Sequence, residues 1–429
     1  MTTTWLMGKV ATALGLGAAL FVTFTVLITL VFMIPNDPIA ENLGDKIDAL
    51  DDTYGINGRI MDSGTECIGV SVGLYQDPQH ENQSTFWKAI NATSLYGCQP
   101  LIDWLETGEP QTTRDYFRYW HGYLLVFRPF MAALPYHDVR GFMFLISVLL
   151  TSAWLLRLGQ DFGLKVAMAF AVPLLFVNTI GLVSVVTKAV TWWLVVGGGL
   201  YLTRLRSQAT QPPVLTFFVL GCLTAFFDFL TTPMLILVVP FMVFCLYNVQ
   251  SSAGLIANHP LKTFSLCTVF FGAGWIGLWA SKIILAAAVI GPEVITNSLG
   301  AAAFRVRGEA AGIDNFWLGQ ALYTNLAALK VFWGPATLIT FGIIPFIKQC
   351  GRDEALTLWK KGRILIIAAL VPLAFLEVLS NHAQIHEAFT HVNIYPALVL
   401  LGLILLRQTS NVLAAKTEAK AENMSGTER

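Results

Sequence analysis

VATALGLGAALFVTFTVLITLVFMI, residues 10–34, runs for 25 positions without a charge and is followed by PNDPIA. About 20 apolar residues are enough for a helix to cross a bilayer. Lys9 precedes the run, as in a secretory leader, but the run is too long for a leader core and no small-x-small cleavage pattern follows. The reading is an uncleaved first span. Similar runs recur along the chain, where hydrophobic residues make up 55% and charged residues only 13%. So few charges cannot cover a water-facing surface. The predicted class is therefore an all-α polytopic membrane protein.

Ten spans are expected, over about 10–34, 141–156, 164–184, 189–203, 213–230, 232–248, 263–285, 326–347, 364–380 and 393–406. Asn178 and Lys188 interrupt the third and fourth. YWHGYLLVFRPFMAAL (119–134) is apolar but carries His121 and Arg128, which suits an interfacial or re-entrant helix better than a span. Placing Lys9 in the cytoplasm puts Arg157, Lys165, Arg204, Arg206, Lys262, Lys348, Arg352, Lys360, Lys361, Arg363 and Arg407 on the same side. That satisfies the positive-inside rule, with both termini cytoplasmic. The predicted layout is one transmembrane domain over 1–407, a long extracytoplasmic loop (35–140) carrying short helices, and a disordered cytoplasmic tail over 408–429.

Net charge is zero, which gives no reason to expect nucleic acid as a partner. No phosphate-binding glycine loop or dinucleotide fingerprint is present, and the cytoplasmic loops are too short for a nucleotide-binding domain. Cys67 and Cys98 both fall in the long loop, where an oxidising compartment permits a disulfide without requiring one.

In this orientation the polar residues at the span ends gather on the extracytoplasmic side: Asp62, Glu66, Arg118, His121, Arg128, Asp138, Arg140, Lys188, Asp228, Lys282, Arg305, Arg307, Asn381, His382 and His386. Buried ions at a membrane boundary need partners or water. Fixed cations with carboxylates and histidines suit a phosphate or diphosphate. Asp62 and Glu66 are four apart, so a helix puts both on one face, as a general base with its orienting partner or as a divalent-cation pair. The bland alternative is a solvated acidic loop. Arg118 and His121, among aromatics, could bind phosphate or sugar, or simply anchor the chain at the bilayer boundary. Lys282, Arg305 and Arg307 suit phosphate capture or contact with lipid headgroups. His382 and His386 share a helical face, but an HxxxH spacing without a third ligand argues against a metal. Asp228 reads as the structural partner of a nearby cation. No metal or organic cofactor is expected, save the divalent ion that the acidic pair could hold.

DSGTECIG, RYWHGYLLVFRPF, FFDFLTTP, GWIGLWASK, AAFRVRG and NHAQIHEAFTH, spread over about 62–393, resemble a group of bacterial integral membrane proteins. The layout also resembles the GT-C superfamily of membrane glycosyltransferases. That resemblance implies an enzyme of the bacterial cytoplasmic (inner) membrane. It would move a sugar from a polyprenyl-phosphate donor to an envelope glycan, lipid or protein, with an acid on the first loop as base. Glu66 and Asp62 match that placement, and Asp37 and Glu41 follow the first span directly. Lys188, Lys282, Arg305, Arg307 and Arg118 would then stabilise the leaving phosphate. The competing expectation is a transporter or flippase for an anionic lipid or solute. It needs polar groups through the membrane depth, where only Asn178 and Lys188 stand out.

Overall fold

The computed structural model describes residues 2–44, 63–74, 80, 82–109, 111–204, 211–228, 230, 232–249, 259–307, 317–328 and 352–405; the side chains of 249, 307 and 352–362 lie outside the description. Asp62, most of the expected span over 326–347 and the tail over 408–429 are outside it as well.

The first helix, α1 (Thr3–Val31), starts at a Thr2 cap. A compact head follows, made of α2 (Asp37–Leu43), α3 (Ser63–Leu74), α4 (Thr85–Asn91), β1 (Thr93–Leu95), α5 (Gln99–Thr107), β2 (Thr113–Asp115) and α6 (Leu124–Met131). The helical bundle continues through α7 (Tyr136–Phe162), α8 (Leu164–Leu174), α9 (Thr179–Ser184), α10 (Val186–Thr203), α11 (Val214–Phe227), α12 (Pro233–Val249) and α13 (Pro260–Val289). Next come α14 (Glu293–Arg307), α15 (Gln320–Ala328), α16 (Arg352–Val378), α17 (Ser380–Ile385) and α18 (Glu387–Thr390). A 3-10 turn (His391–Ile394) leads into α19 over 395–405.

The chain is thus a helical membrane protein. Four described helical segments are long and apolar enough to cross a bilayer: α1, α7, α13 and Glu387–Leu405. Leu164–Leu174, Val214–Phe227 and Pro233–Asn248 are shorter apolar helices. The third expected span is not one helix. α8 ends beside Pro173, and Asn178 adopts a left-handed backbone (φ 47°) while its side chain accepts the Gly181 amide to start α9. Proline removes a donor and asparagine tolerates this conformation, so the chain breaks here. The stretch 119–134 yields only the eight-residue α6, packed within the head.

Burial separates helices of similar composition. In α12, Leu235, Ile236, Leu237, Val238 and Val239 are all buried, so protein surrounds this helix on every side. α1 instead exposes Leu14, Val22 and Leu30, as a lipid-facing helix does. α11 and α13 cross at Gly221 and Gly274, where each glycine lies against the other helix's backbone.

The head departs from all-helical structure in one place. β1 and β2 pair antiparallel, with Ser94 opposite Arg114. A Cys67–Cys98 disulfide ties α3 to the start of α5. The Ser71 hydroxyl contacts the Ser94 hydroxyl at 3.0 Å and accepts the Leu95 amide at 3.1 Å. The head core, including Ile39, Val70, Leu95, Tyr123 and Phe127, continues into Val31 of α1, Val139 of α7 and Val186 of α10.

Candidate functional site

A cavity of about 590 Å³ lies where the head meets α14, α17 and α18. α3 contributes Thr65 and Ile68, the ribbon and its exit contribute Arg114, Tyr116, Arg118 and Tyr119, and α14 contributes Asn297, Phe304 and Arg305. His382, His386 and Phe389 complete the wall. Three arginines face this space, and among the described residues no carboxylate lines it.

Each arginine rests on tyrosine. The Arg114 guanidinium lies 5.0 Å from the ring centres of both Tyr96 and Tyr116. Arg118 lies 4.5 Å from Tyr116, and Arg305 lies 5.6 Å from Tyr119. Such stacking holds the cation while leaving its N–H edge free to bind an anion. Arg118 also donates to the Asp115 carbonyl, and Arg305 to the Ala301 carbonyl of its own helix. The Nε of all three has no hydrogen-bond partner among the described residues. Burial raises the Tyr119 phenol above its ordinary range, opposed by Arg305.

The His382 and His386 rings pack 4.6 Å apart, and His386 stacks on Phe389. One His382 nitrogen bonds the backbone of Leu230, while Nε2 has no partner among the described residues. Burial, then His386, Arg305 and Lys188, hold His382 well below the usual imidazole range, so it is neutral at pH 7. The fixed positive charge at the cavity is carried by its arginines and not by His382. Among the described residues no group of three or more His, Cys, Asp or Glu side chains is placed to hold a metal ion.

Of the residues singled out in the sequence, Arg118, Arg305, His382 and His386 meet at this cavity. Lys188 lies behind its wall, with Nζ 3.3 Å from the Phe389 ring centre. Asn381 donates to the Phe304 carbonyl at 2.8 Å, fastening α17 to α14. His121 has a left-handed backbone (φ 57°) and its Nε2 contacts the Tyr116 carbonyl at 3.0 Å. Burial lowers its pKa to about 3, so it too is uncharged. Arg307 ends α14, and its side chain is outside the described set.

Asp138 is exposed beside His137 (3.1 Å), and Glu66, Arg128, Lys282, Arg140 and Asp228 bind helix ends. Glu66 is fully buried. Its carboxylate accepts from the Tyr136 hydroxyl (3.0 Å), the Val186 amide (2.9 Å), the Thr187 amide (3.4 Å) and the Thr187 hydroxyl (3.2 Å). It thereby caps the first turn of α10, where free amides and the helix dipole favour an anion. Arg128 does the converse. It donates to the Val31 carbonyl at the end of α1 (3.0 Å), to the Gly73 carbonyl near the end of α3, and to Ile34 O and Asn36 Oδ1. Burial lowers its pKa to about 10, which leaves it charged at neutral pH. Lys282 Nζ donates to the Ile90 carbonyl in the last turn of α4 (2.8 Å), and Arg140 Nε to the Ser184 carbonyl ending α9 (3.1 Å). Asp228 ends α11, and its Oδ1 accepts from the Thr232 amide and the Thr191 hydroxyl.

Arg114, Tyr116 and Asn297 were not legible as site residues. Arg114 and Arg118 flank Tyr116 in TRDYFRY, and this close spacing of cations around one aromatic was the signal available. No protein-family model matches this chain, and no curated protein or solved structure is significantly similar to it.

Proposed function

We propose that this chain is a membrane glycosyltransferase that draws a sugar from a polyprenyl-phosphate donor and passes it to an envelope acceptor. In this reading the bundle spans the bacterial cytoplasmic membrane ten times, with both termini cytoplasmic and the head outside. The observation that carries it is the set of three tyrosine-mounted arginines, with Nε groups unpartnered among the described residues, around a cavity that no described carboxylate lines. A monoanionic or dianionic phosphate offsets part of that charge, and a diphosphate most of it. Positive groups fixed where a leaving phosphate gains charge lower the barrier to its departure.

Glu66, held by four donors, positions α10 in this reading instead of activating the acceptor. The acceptor base falls to Asp62, which directly precedes α3, the helix whose Thr65 and Ile68 face the cavity. The test uses purified protein in detergent and short-chain polyprenyl-phosphate sugars, following release of polyprenyl phosphate with and without a chelator. Release from one donor, lost in Asp62→Asn and Arg305→Gln variants that remain folded, supports the reading. If the protein neither binds nor cleaves any donor, the transferase reading falls and lipid transport in vesicles becomes the assay to run.

A further inference from the structure

α14 has two unlike faces. Asn297, Ala301, Phe304 and Arg305 line the cavity, and Val294 and Ser298 are buried beneath them. Ile295, Leu299 and Val306 follow spacings of four and seven, which puts them on one stripe on the other side. They are 44%, 61% and 37% exposed. A 15-residue helix is about 22 Å long and cannot span a hydrocarbon core of about 30 Å. Apolar residues on one face with polar ones on the other describe a helix lying in the membrane interface.

What covers that stripe is indicated by its neighbours. α13 is a candidate membrane span, separated from α14 by three residues. It exposes Val269, Ile276 and Ile284 along its own length. The apolar surface therefore continues from a lipid-facing helix onto α14. Beyond α14, Trp317, Leu318 and Tyr323 are also exposed, and such aromatics settle at headgroup level.

We propose that the outer face of α14 rests on the bilayer, and that the cavity on its inner face receives its phosphate-bearing ligand sideways from the membrane. α14 is then the wall between lipid and site. Phe304, which lines the cavity and is 48% exposed, lies on the side of α14 away from the stripe, beside Arg305. A lipid phosphate could keep its chain in the bilayer while its head reaches the arginines. The lipid nature of the ligand rests on the glycosyltransferase reading; the placement of α14 does not.

The test has two arms, on full-length protein in phosphatidylcholine–phosphatidylglycerol nanodiscs. In the first, spin labels are placed at Leu299→Cys and, as a water-facing control in α5, Glu106→Cys, with Cys222, Cys245, Cys267 and Cys350 replaced by alanine. The Leu299 label should collide with oxygen and be shielded from a water-soluble nickel chelate, while the Glu106 label shows the reverse. Equal access of the chelate to both sites overturns the proposal. In the second, Ile295→Glu with Leu299→Glu should weaken binding of a bilayer-borne short-chain polyprenyl phosphate by at least about tenfold. Binding of inorganic pyrophosphate should stay within about twofold. Equal loss of both, or of neither, overturns lateral loading. If wild type binds neither probe, the lipid-phosphate reading itself fails, and the spin-label arm still decides where α14 lies.

Discussion

Replacing Glu66 with glutamine separates a structural carboxylate from a catalytic one. The native group accepts four hydrogen bonds while fully buried. The amide is the same size but turns an NH2 toward groups that are themselves donors. Whichever oxygen the NH2 replaces, one backbone amide loses its acceptor, that of Val186 at Oε1 or that of Thr187 at Oε2, at about 1–3 kcal/mol. Loss of the anion at the start of α10 adds about 0.3–2 kcal/mol. The expected destabilisation is about 1–5 kcal/mol, a large fraction of a typical folding free energy. Equilibrium unfolding in detergent, followed by tryptophan fluorescence, measures it. Tyr136→Phe should cost less, and the double variant should show a coupling of about 0.5–3 kcal/mol. Wild-type stability in Glu66→Gln, together with lost donor cleavage, would refute the capping argument and return Glu66 to the chemistry.

Arg118→Gln and Arg305→Gln should each weaken phosphate-headgroup binding by about 10–100-fold, and the wild-type affinity should fall as salt rises; titration of a soluble phosphate analogue measures both. Opening the Cys67–Cys98 bridge by serine substitution frees a segment with a sequence separation of 31 and should cost about 3–4 kcal/mol, read in the same unfolding assay. His121 has a pKa near 3, below the ordinary 6.5, so the unfolded chain takes up this proton first. Stability should therefore fall as pH drops from about 6.5 toward 3, by up to about 1.4 kcal/mol per pH unit for this group, with no contribution above that window; a shallower acid slope in His121→Asn checks it. Gly221→Ala should sharply lower the folded yield because its methyl would strike the Phe271 carbonyl, whereas Gly277→Ala, with open space around it, should be neutral.

The membrane class was legible because hydropathy acts over whole segments. The runs over 10–34, 141–156 and 263–285 correspond to α1, α7 and α13, which extend further than the apolar cores alone indicate. Local chemistry was harder to read. Asn178 appeared as an interruption of a span, yet its amide acceptor and left-handed backbone end one helix and start another. Lipid-facing α1 and fully enclosed α12 are alike in composition, since the difference lies in what surrounds them. The two loop cysteines were known to be permitted a bridge, but only the packing of α3 against the ribbon brings them together. Arg114 went unnoticed because its role depends on a two-stranded pairing that three-residue strands do not announce.

The deeper limit is that identical ions at one end of the bundle serve two purposes, which their spacing cannot separate. A helix end leaves backbone groups unpaired, and in a membrane protein little water is at hand to satisfy them. Glu66 answers the amides of α10, while Arg128, Lys282 and Arg140 answer carbonyls ending α1, α3, α4 and α9. In each case the acidic or basic character suits the end of the helix it meets. Glu66, with four donors around it, and Arg128, with four acceptors, have little capacity left for a ligand. Arg114, Arg118 and Arg305 are held chiefly by aromatic faces, which stabilise the cation without occupying all its donors. Arg140 also lies 5.6 Å from the Tyr136 ring centre, but its Nε donates to the Ser184 carbonyl and it does not line this cavity. Position, and an Nε unpartnered among the described residues, therefore mark the cavity arginines out. An arginine mounted on tyrosine beside a cavity is available to an incoming anion, and one clasped by four oxygens is not.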